Sequence, residues 1–189
     1  MSVTRRRFIA AASTCAVLPA LRSGAAGAAP QLQLLRAGVS RQQLVPAEYP
    51  DTEVWSFNGA VPGPLLRARQ GDTLRVTLRN ALPQPTTVHW HGIRLPNAMD
   101  GVPHLTQPPV APGQDFAYEF ALPDAGTYWY HPHERSQEQV ARGLYGALIV
   151  DEQNPPPFDR DETWVLSDWR LNRDATPVDD YDSNLFDLT

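Results

Sequence analysis

The sequence predicts an all-β domain, built as an antiparallel sandwich or barrel. Proline accounts for 19 of the 189 residues, about twice its usual share of roughly 5%, and the prolines cluster between short apolar segments. Several of these segments alternate apolar and polar residues, as Leu74, Val76 and Leu78 do, which places the apolar side chains on one face of a strand. No long segment has helical periodicity. Many short strands separated by turn signals are typical of sandwiches and barrels.

Seven segments carry the strand pattern, and 137–142 has the composition of one or two helical turns. The predicted strands are 53–57, 73–78, 87–91, 116–122, 127–131, 144–150 and 163–166. The first six lie within 31–152, which is long enough for one domain with its own core.

The first 28 residues have the pattern of an export signal. Residues 5–7 are all arginine, an apolar stretch covers 8–21, and residues 26–28 fit an A-x-A cleavage site. The apolar stretch is shorter than the roughly 20 residues that span a bilayer. The arginine pair followed by an apolar residue resembles a twin-arginine signal. We therefore expect a periplasmic or secreted bacterial protein, with an ordinary secretory signal or an uncleaved anchor as the alternatives.

The charge balance argues against nucleic acid as a partner. The formal net charge is −5 at pH 7, and residues 1–28 hold four arginines and no acidic residue, so the chain without its leader is more acidic still. Nucleic acid and anionic membrane surfaces repel such a chain. The single cysteine, Cys15, also lies in the leader. A metal site in the mature chain would therefore use histidine, carboxylate or water.

The residues after 152 have the composition of the opening of a second domain. They are polar and rich in proline up to Phe158, include the predicted strand at 163–166, and end in an acidic stretch over 172–189. Because a single strand cannot bury its own face, we expect 153–189 to be a linker and the incomplete start of a second domain. The alternative is a disordered acidic tail.

Four of the five histidines form two His-x-His pairs, His89 with His91 and His131 with His133. In a strand the two imidazoles of each pair point the same way, roughly 6–7 Å apart at their bases. A single pair is weak evidence, because surface or packed histidines are common. Two pairs facing each other would make a four-imidazole site that suits Cu, Zn, Fe or Ni. We expect His104, the remaining histidine, to be exposed to solvent.

These pairs belong to a series of motifs that resembles the first cupredoxin domain of the multicopper oxidases, the family of laccases and copper-resistance oxidases. The motifs are Asn58-Gly59-x-x-Pro62-Gly63-Pro64, His89-Trp90-His91-Gly92, Asp100-Gly101, Pro112-Gly113, 126–133 and 143–150. They follow in the family's order over about 44–151. The resemblance implies a cupredoxin-like (plastocyanin-like) Greek-key β-sandwich over 31–152, after the leader and before the incomplete second domain.

The resemblance also implies a role for each paired histidine. His89 would bind the type 2 copper of a trinuclear cluster. His91 and His131 would share one type 3 copper, and His133 would bind the other. Asp100 would help to relay protons near the cluster, although an Asp-Gly pair is also an ordinary turn.

The resemblance therefore implies the N-terminal copper-binding domain of an oxidase. Such a domain would supply half of the cluster ligands for oxidation of phenolic or other organic substrates, or of metal ions, coupled to reduction of O2 to water. The other ligands, and the cysteine-containing type 1 copper site, would come from a C-terminal cupredoxin domain or a partner chain, so the chain alone is not expected to be an oxidase. The alternatives are a stand-alone periplasmic copper-binding or carrier module, or one zinc or iron ion in a hydrolase or oxygenase. Glu134 follows His133 directly; its carboxylate either supports a metal-binding histidine or is a charge exposed to solvent.

Overall fold

The structure is a computed structural model that describes residues 33–178. This part contains eight strands in two four-stranded sheets with a shared apolar core. The strands are β1 (Gln33–Gln42), β2 (Thr52–Phe57), β3 (Leu66–Arg69), β4 (Thr73–Ala81), β5 (His89–His91), β6 (Asp115–Ala121), β7 (Gly126–His131) and β8 (Gly146–Asp151). A 3-10 turn (Asn97–Met99) and a short helix, α1 (Ser136–Ala141), complete the secondary structure of the described residues. The predicted all-β sandwich and the predicted short helix are confirmed.

The two sheets have the strand orders β2-β1-β4-β6 and β3-β8-β7-β5. Four of the six strand pairs are antiparallel, whereas β1–β4 and β3–β8 are parallel. The predicted antiparallel pairing therefore holds for four pairs, and one pair in each sheet departs from it. Parallel neighbours need a crossover connection, and here the chain leaves the first sheet to form β3 in the second before it returns as β4.

The apolar residues of β4 lie on one face of the strand, as their alternation with polar residues predicts. Its apolar side chains are buried in the core, and the arginines on its other face pair with β6, Arg75 with Glu119 and Arg79 with Asp115. The core also takes apolar residues from the second sheet, among them Leu66, Leu148 and Val150. The sandwich therefore buries the faces that the period-2 pattern identifies.

Two strands and one further segment differ from the sequence-based prediction. Strands β1 and β3 were not predicted; β1 leaves Leu34 and Val39 exposed, and β3 has only four residues. The predicted strand at 163–166 is wrong, because in the described part of the chain this segment pairs with no other strand and leaves Leu166 87% exposed. A strand needs a neighbour to satisfy its N–H and C=O groups.

The leader predicted over 1–28 and the end of the acidic stretch, 179–189, lie outside the described residues. Among the described helices, none is long and apolar enough to cross a membrane.

Candidate metal centre

Strands β5 and β7 bring the two His-x-His pairs together. They are antiparallel neighbours in which His89 lies opposite His131 and His91 lies opposite Trp129. Side chains that lie directly opposite each other in adjacent strands point to the same face of the sheet. His89, His91, Trp129 and His131 therefore share one face, and Trp90 points to the other.

Trp90 anchors β5 from the core side. Its side chain is fully buried, and its ring centroid lies 5.5 Å from that of Tyr118, 5.2 Å from Phe120 and 5.9 Å from Tyr130. Tyr118 and Phe120 belong to β6 of the opposite sheet, so the packing spans the sandwich. Trp90 thus packs into the core, while the histidines on either side of it face away from the core.

The four paired histidines form one group, which we call the histidine cluster (His89, His91, His131 and His133). Five of the distances between their ring centroids lie between 4.2 and 5.6 Å. One ring nitrogen each of His89, His91 and His131 lie within 4.8 Å of one another, and the ring of His133 is 4.2 Å from that of His89. The fold thus brings together the four imidazoles of the two sequence motifs, and three of them present nitrogens close enough to share one ion.

Backbone carbonyl oxygens lie within hydrogen-bond distance of Nδ1 in two of these histidines, and such a bond forms only when Nδ1 carries the proton. Nδ1 of His89 is 2.8 Å from the carbonyl oxygen of Asp100, and Nδ1 of His131 is 3.0 Å from that of Pro132. Because a carbonyl only accepts hydrogen bonds, both Nδ1 atoms donate. Nε2 is then the nitrogen with a free lone pair, which is the arrangement usual for metal-binding histidines.

The separation of His91 and His131 suits two ligands of one ion. Nδ1 of His91 and Nε2 of His131 are 3.5 Å apart, a spacing compatible with two metal–nitrogen bonds of about 2.0 Å. The cluster provides imidazoles and no thiolate, a donor set that suits copper, zinc, iron or nickel. The residues present therefore fit a bound transition metal.

Burial keeps part of the cluster uncharged. Loss of solvent lowers the pKa of His131 to about 4, and the three neighbouring imidazoles act in the same direction. Burial, followed by repulsion from His89, also lowers the pKa of His133. Since a metal binds the neutral imidazole, these shifts leave the ligands available at neutral pH.

Other side chains hold the second pair in place. The backbone N–H of His133 donates to the hydroxyl of Thr87 at 3.2 Å, immediately before β5. The ring of Trp129 stacks on that of His131, with centroids 3.9 Å apart and planes 20° apart. Trp129 also lies against His91, at 5.2 Å between centroids.

Helix α1 is tied to the segment before β5 through Gln139. This side chain is fully buried; its amide donates to the Pro85 carbonyl at 2.8 Å, and its oxygen accepts from the Thr86 hydroxyl at 2.7 Å. Helix α1, which follows His133, is thus linked to the segment that precedes His89. A polar residue in a short helix carries no sequence signal for such a role, whereas Trp129 could have been found from its alternation with His131.

The remaining candidates, Asp100, Glu134 and His104, differ in their surroundings. The Asp100 carboxylate oxygen Oδ1 is 3.4 Å from Nδ1 of His89, and the residue directly follows the 3-10 turn, so it occupies a turn beside the cluster. Its role in proton transfer stays a prediction. Glu134 is half-buried next to His133. His104 is exposed, as predicted.

The fold and this group of side chains define a cupredoxin-like β-sandwich that carries a cluster of histidines. A family model described as "Multicopper oxidase" matches residues 38–155, which is more than half of the 189 residues. The chain belongs to the multicopper oxidase family.

Sequence relatives of known identity agree with this assignment. Copper resistance protein A of Escherichia coli is 47% identical over 116 residues, which is 60% of this chain and 19% of that protein. Multicopper oxidase MmcO of Mycobacterium tuberculosis is 43% identical over 121 residues, 64% of this chain and 23% of that protein. The chain thus spans about a fifth of the length of these curated relatives.

Solved structures share the fold. A multi-copper oxidase from Pseudomonas parafulva aligns with a TM-score of 0.73 at 48% identity, over 78% of this chain and 36% of that one. Lac15 from a marine microbial metagenome aligns with a TM-score of 0.69 at 44% identity, over 79% of this chain and 39% of that one. The similarity to copper oxidases in sequence and structure makes copper the metal that this family membership implies.

Proposed function

We propose that this chain supplies half of the histidine ligands of a trinuclear copper cluster at which dioxygen is reduced to water. In this assignment His89 binds the type 2 copper, His91 and His131 bind one type 3 copper, and His133 binds the other. The observation that carries the proposal is the histidine cluster itself, and above all the 3.5 Å between Nδ1 of His91 and Nε2 of His131.

Copper bound at such a cluster supplies the one-electron steps that reduce dioxygen to water. The chain's own residues hold uncharged imidazoles with their free nitrogens together, which burial of His131 favours. The Asp100 side chain is 32% exposed to solvent, and its carboxylate oxygen Oδ1 is 3.4 Å from Nδ1 of His89. We assign it the role of passing protons from solvent to the cluster.

The other ligands come, in this proposal, from a further cupredoxin domain or a partner chain. His91 is exposed on the open side of the cluster, where a second set of ligands can approach. The reductant would be a phenolic or other organic molecule, or a metal ion, oxidised in that other part of the enzyme. Residues 1–28 would direct export to the periplasm or out of the cell by the twin-arginine route, 31–152 would form the cupredoxin domain, and 153–189 would lead into the next one.

Copper binding by the chain is the first test. The chain is titrated with copper, and His131→Ala is compared with His104→Ala, which removes a histidine outside the cluster. We expect His131→Ala to lose affinity by at least about tenfold, since it deletes a ligand, and His104→Ala to bind as the parent does. Equal affinity in both variants would contradict the proposal.

A chimaera tests the shared cluster. Residues 38–155 replace the matching segment of the Pseudomonas parafulva oxidase, and oxygen uptake with a phenolic reductant is measured. We expect uptake that His131→Ala abolishes and His104→Ala retains. A folded chimaera that binds copper without oxygen uptake would instead favour a copper carrier, and one zinc per chain with hydrolytic activity would favour a single-metal enzyme.

A further inference from the structure

The loop that carries Asp100 approaches His89 through its main chain. The carbonyl oxygen of Asp100 is 2.8 Å from Nδ1 of His89, whereas the nearer carboxylate oxygen is 3.4 Å away. The shorter contact is a hydrogen bond that any residue at position 100 could accept, because it uses the backbone.

Gly101 makes this approach possible. Its φ is +75°, and a Cβ built there would lie 1.8 Å from the carbonyl oxygen of Val88 and 2.9 Å from the backbone nitrogen of His89. Contacts under 3.0 Å with backbone atoms cannot be relieved by rotating a side chain. Only glycine therefore allows the loop to lie directly against the chain at the start of β5.

Both sides of this contact are held in place. The N–H of Val88 donates to the hydroxyl of Tyr118 at 2.9 Å, so the chain before β5 is tied to the core. On the loop side, the N–H of Val102 donates to the hydroxyl of Thr106 at 2.9 Å, and that hydroxyl donates back to the Val102 carbonyl at 3.1 Å. A side chain at 101 would have to displace one of two anchored segments.

We propose that Gly101 is a positioning residue for His89: by letting the main chain of Asp100 contact the ring, it keeps the proton on Nδ1 and directs Nε2 into the histidine cluster. The carbonyl of Asp100, and not its carboxylate, is the group that selects the tautomer. The importance of this tautomer for metal binding rests on the proposed function. Groups that orient a metal-binding histidine in this way typically change metal affinity about 10–100-fold when they are lost.

Gly113 provides a matched control. Its φ is +77°, close to that of Gly101, but a Cβ there would meet nothing within 4 Å. Gly101→Ala and Gly113→Ala therefore place alanine in the same strained backbone region, and only the first creates a clash. We expect Gly101→Ala to weaken copper binding by about 10–100-fold and Gly113→Ala to bind as the parent chain does. Equal affinities would overturn the proposal.

The tautomer is measured directly by NMR of the imidazole nitrogens in the metal-free chain, at about pH 8.5, where ordinary imidazoles are neutral. We expect His89 to carry its proton on Nδ1 in the parent chain and in Asp100→Ala, which keeps the carbonyl and removes the carboxylate. A proton on Nε2 in either protein would overturn the proposal.

Because Gly101 acts on His89 through the Asp100 carbonyl, a proton on Nε2 of His89 in the parent chain would refute this positioning role even if Gly101→Ala does not fold. The tautomer also separates the proposal from the proposed function, because a parent chain that binds no copper would refute the copper cluster, while NMR still tests the contact between the Asp100 carbonyl and His89.

Discussion

Replacing Gln139 with leucine should destabilise the domain by about 2–4 kcal/mol. The two hydrogen bonds of Gln139, to Thr86 at 2.7 Å and to Pro85 at 2.8 Å, are lost. Each contributes about 1 kcal/mol net, and a buried partner left unsatisfied costs about 1–3 kcal/mol. Leucine has a similar volume, so a cavity adds little. The Thr86 hydroxyl retains only a longer contact, 3.4 Å, to the Thr87 carbonyl.

The assay is urea unfolding of the metal-free chain followed by tryptophan fluorescence, which gives the free energy of unfolding from midpoint and slope. Gln137→Leu is the control, because Gln137 is exposed on the same helix and should change stability by less than about 0.5 kcal/mol. If Gln139→Leu costs no more than Gln137→Leu, then Gln139 does not tie α1 to the segment before β5.

Three further predictions concern the cluster and its support. The free energy of unfolding of the metal-free chain should fall as pH falls from 6.5 to about 4, because in this window unfolded His131 binds a proton and folded His131 does not. Urea unfolding at several pH values measures this pH dependence, and His131→Gln should reduce it. An unchanged pH dependence in His131→Gln would contradict the prediction. The copper-loaded chain should show no intense blue absorption band once residues 1–28, the predicted leader, are removed. The band needs a thiolate ligand, and the only cysteine of the chain, Cys15, lies in the removed segment. A visible spectrum that contains the band would refute this prediction. Trp90→Ala should lower the free energy of unfolding by about 3–5 kcal/mol, because the ring is fully buried. If urea unfolding gives a decrease below about 1 kcal/mol, the packing across the sandwich does not anchor β5.

The sequence predicted the strands that can be recognised from the alternation of their own residues. The alternation of Leu74, Val76 and Leu78 predicts β4, because a period of two puts these side chains on one face. The apolar segment at 163–166 has an equally good local pattern and forms no strand, since pairing depends on a neighbour that local sequence cannot supply. Strand β3 shows the reverse case: four residues carry little pattern, and pairing with β8 makes them a strand.

The same distinction applies to the candidate site. The residue types and spacing of the two His-x-His pairs predict a metal centre, because imidazoles two residues apart on a strand face the same way. Thr87, Gln139 and Gly101 were not predicted as supports, since each acts through a contact with residues distant in the sequence. Gly101 matters only because its backbone lies against Val88, 13 positions earlier.

By itself, the sequence determined that the chain contains strands, that His89 and His91 present both imidazoles on one face of a strand, and that the only cysteine of the chain lies within residues 1–28. Tertiary structure alone decided that His89 lies opposite His131 and that the Asp100 carbonyl lies 2.8 Å from Nδ1 of His89. The physical reason is that side-chain alternation is a property of one strand, whereas register and loop approach depend on long-range pairing, in which a shift by one residue would turn the histidines to the opposite face.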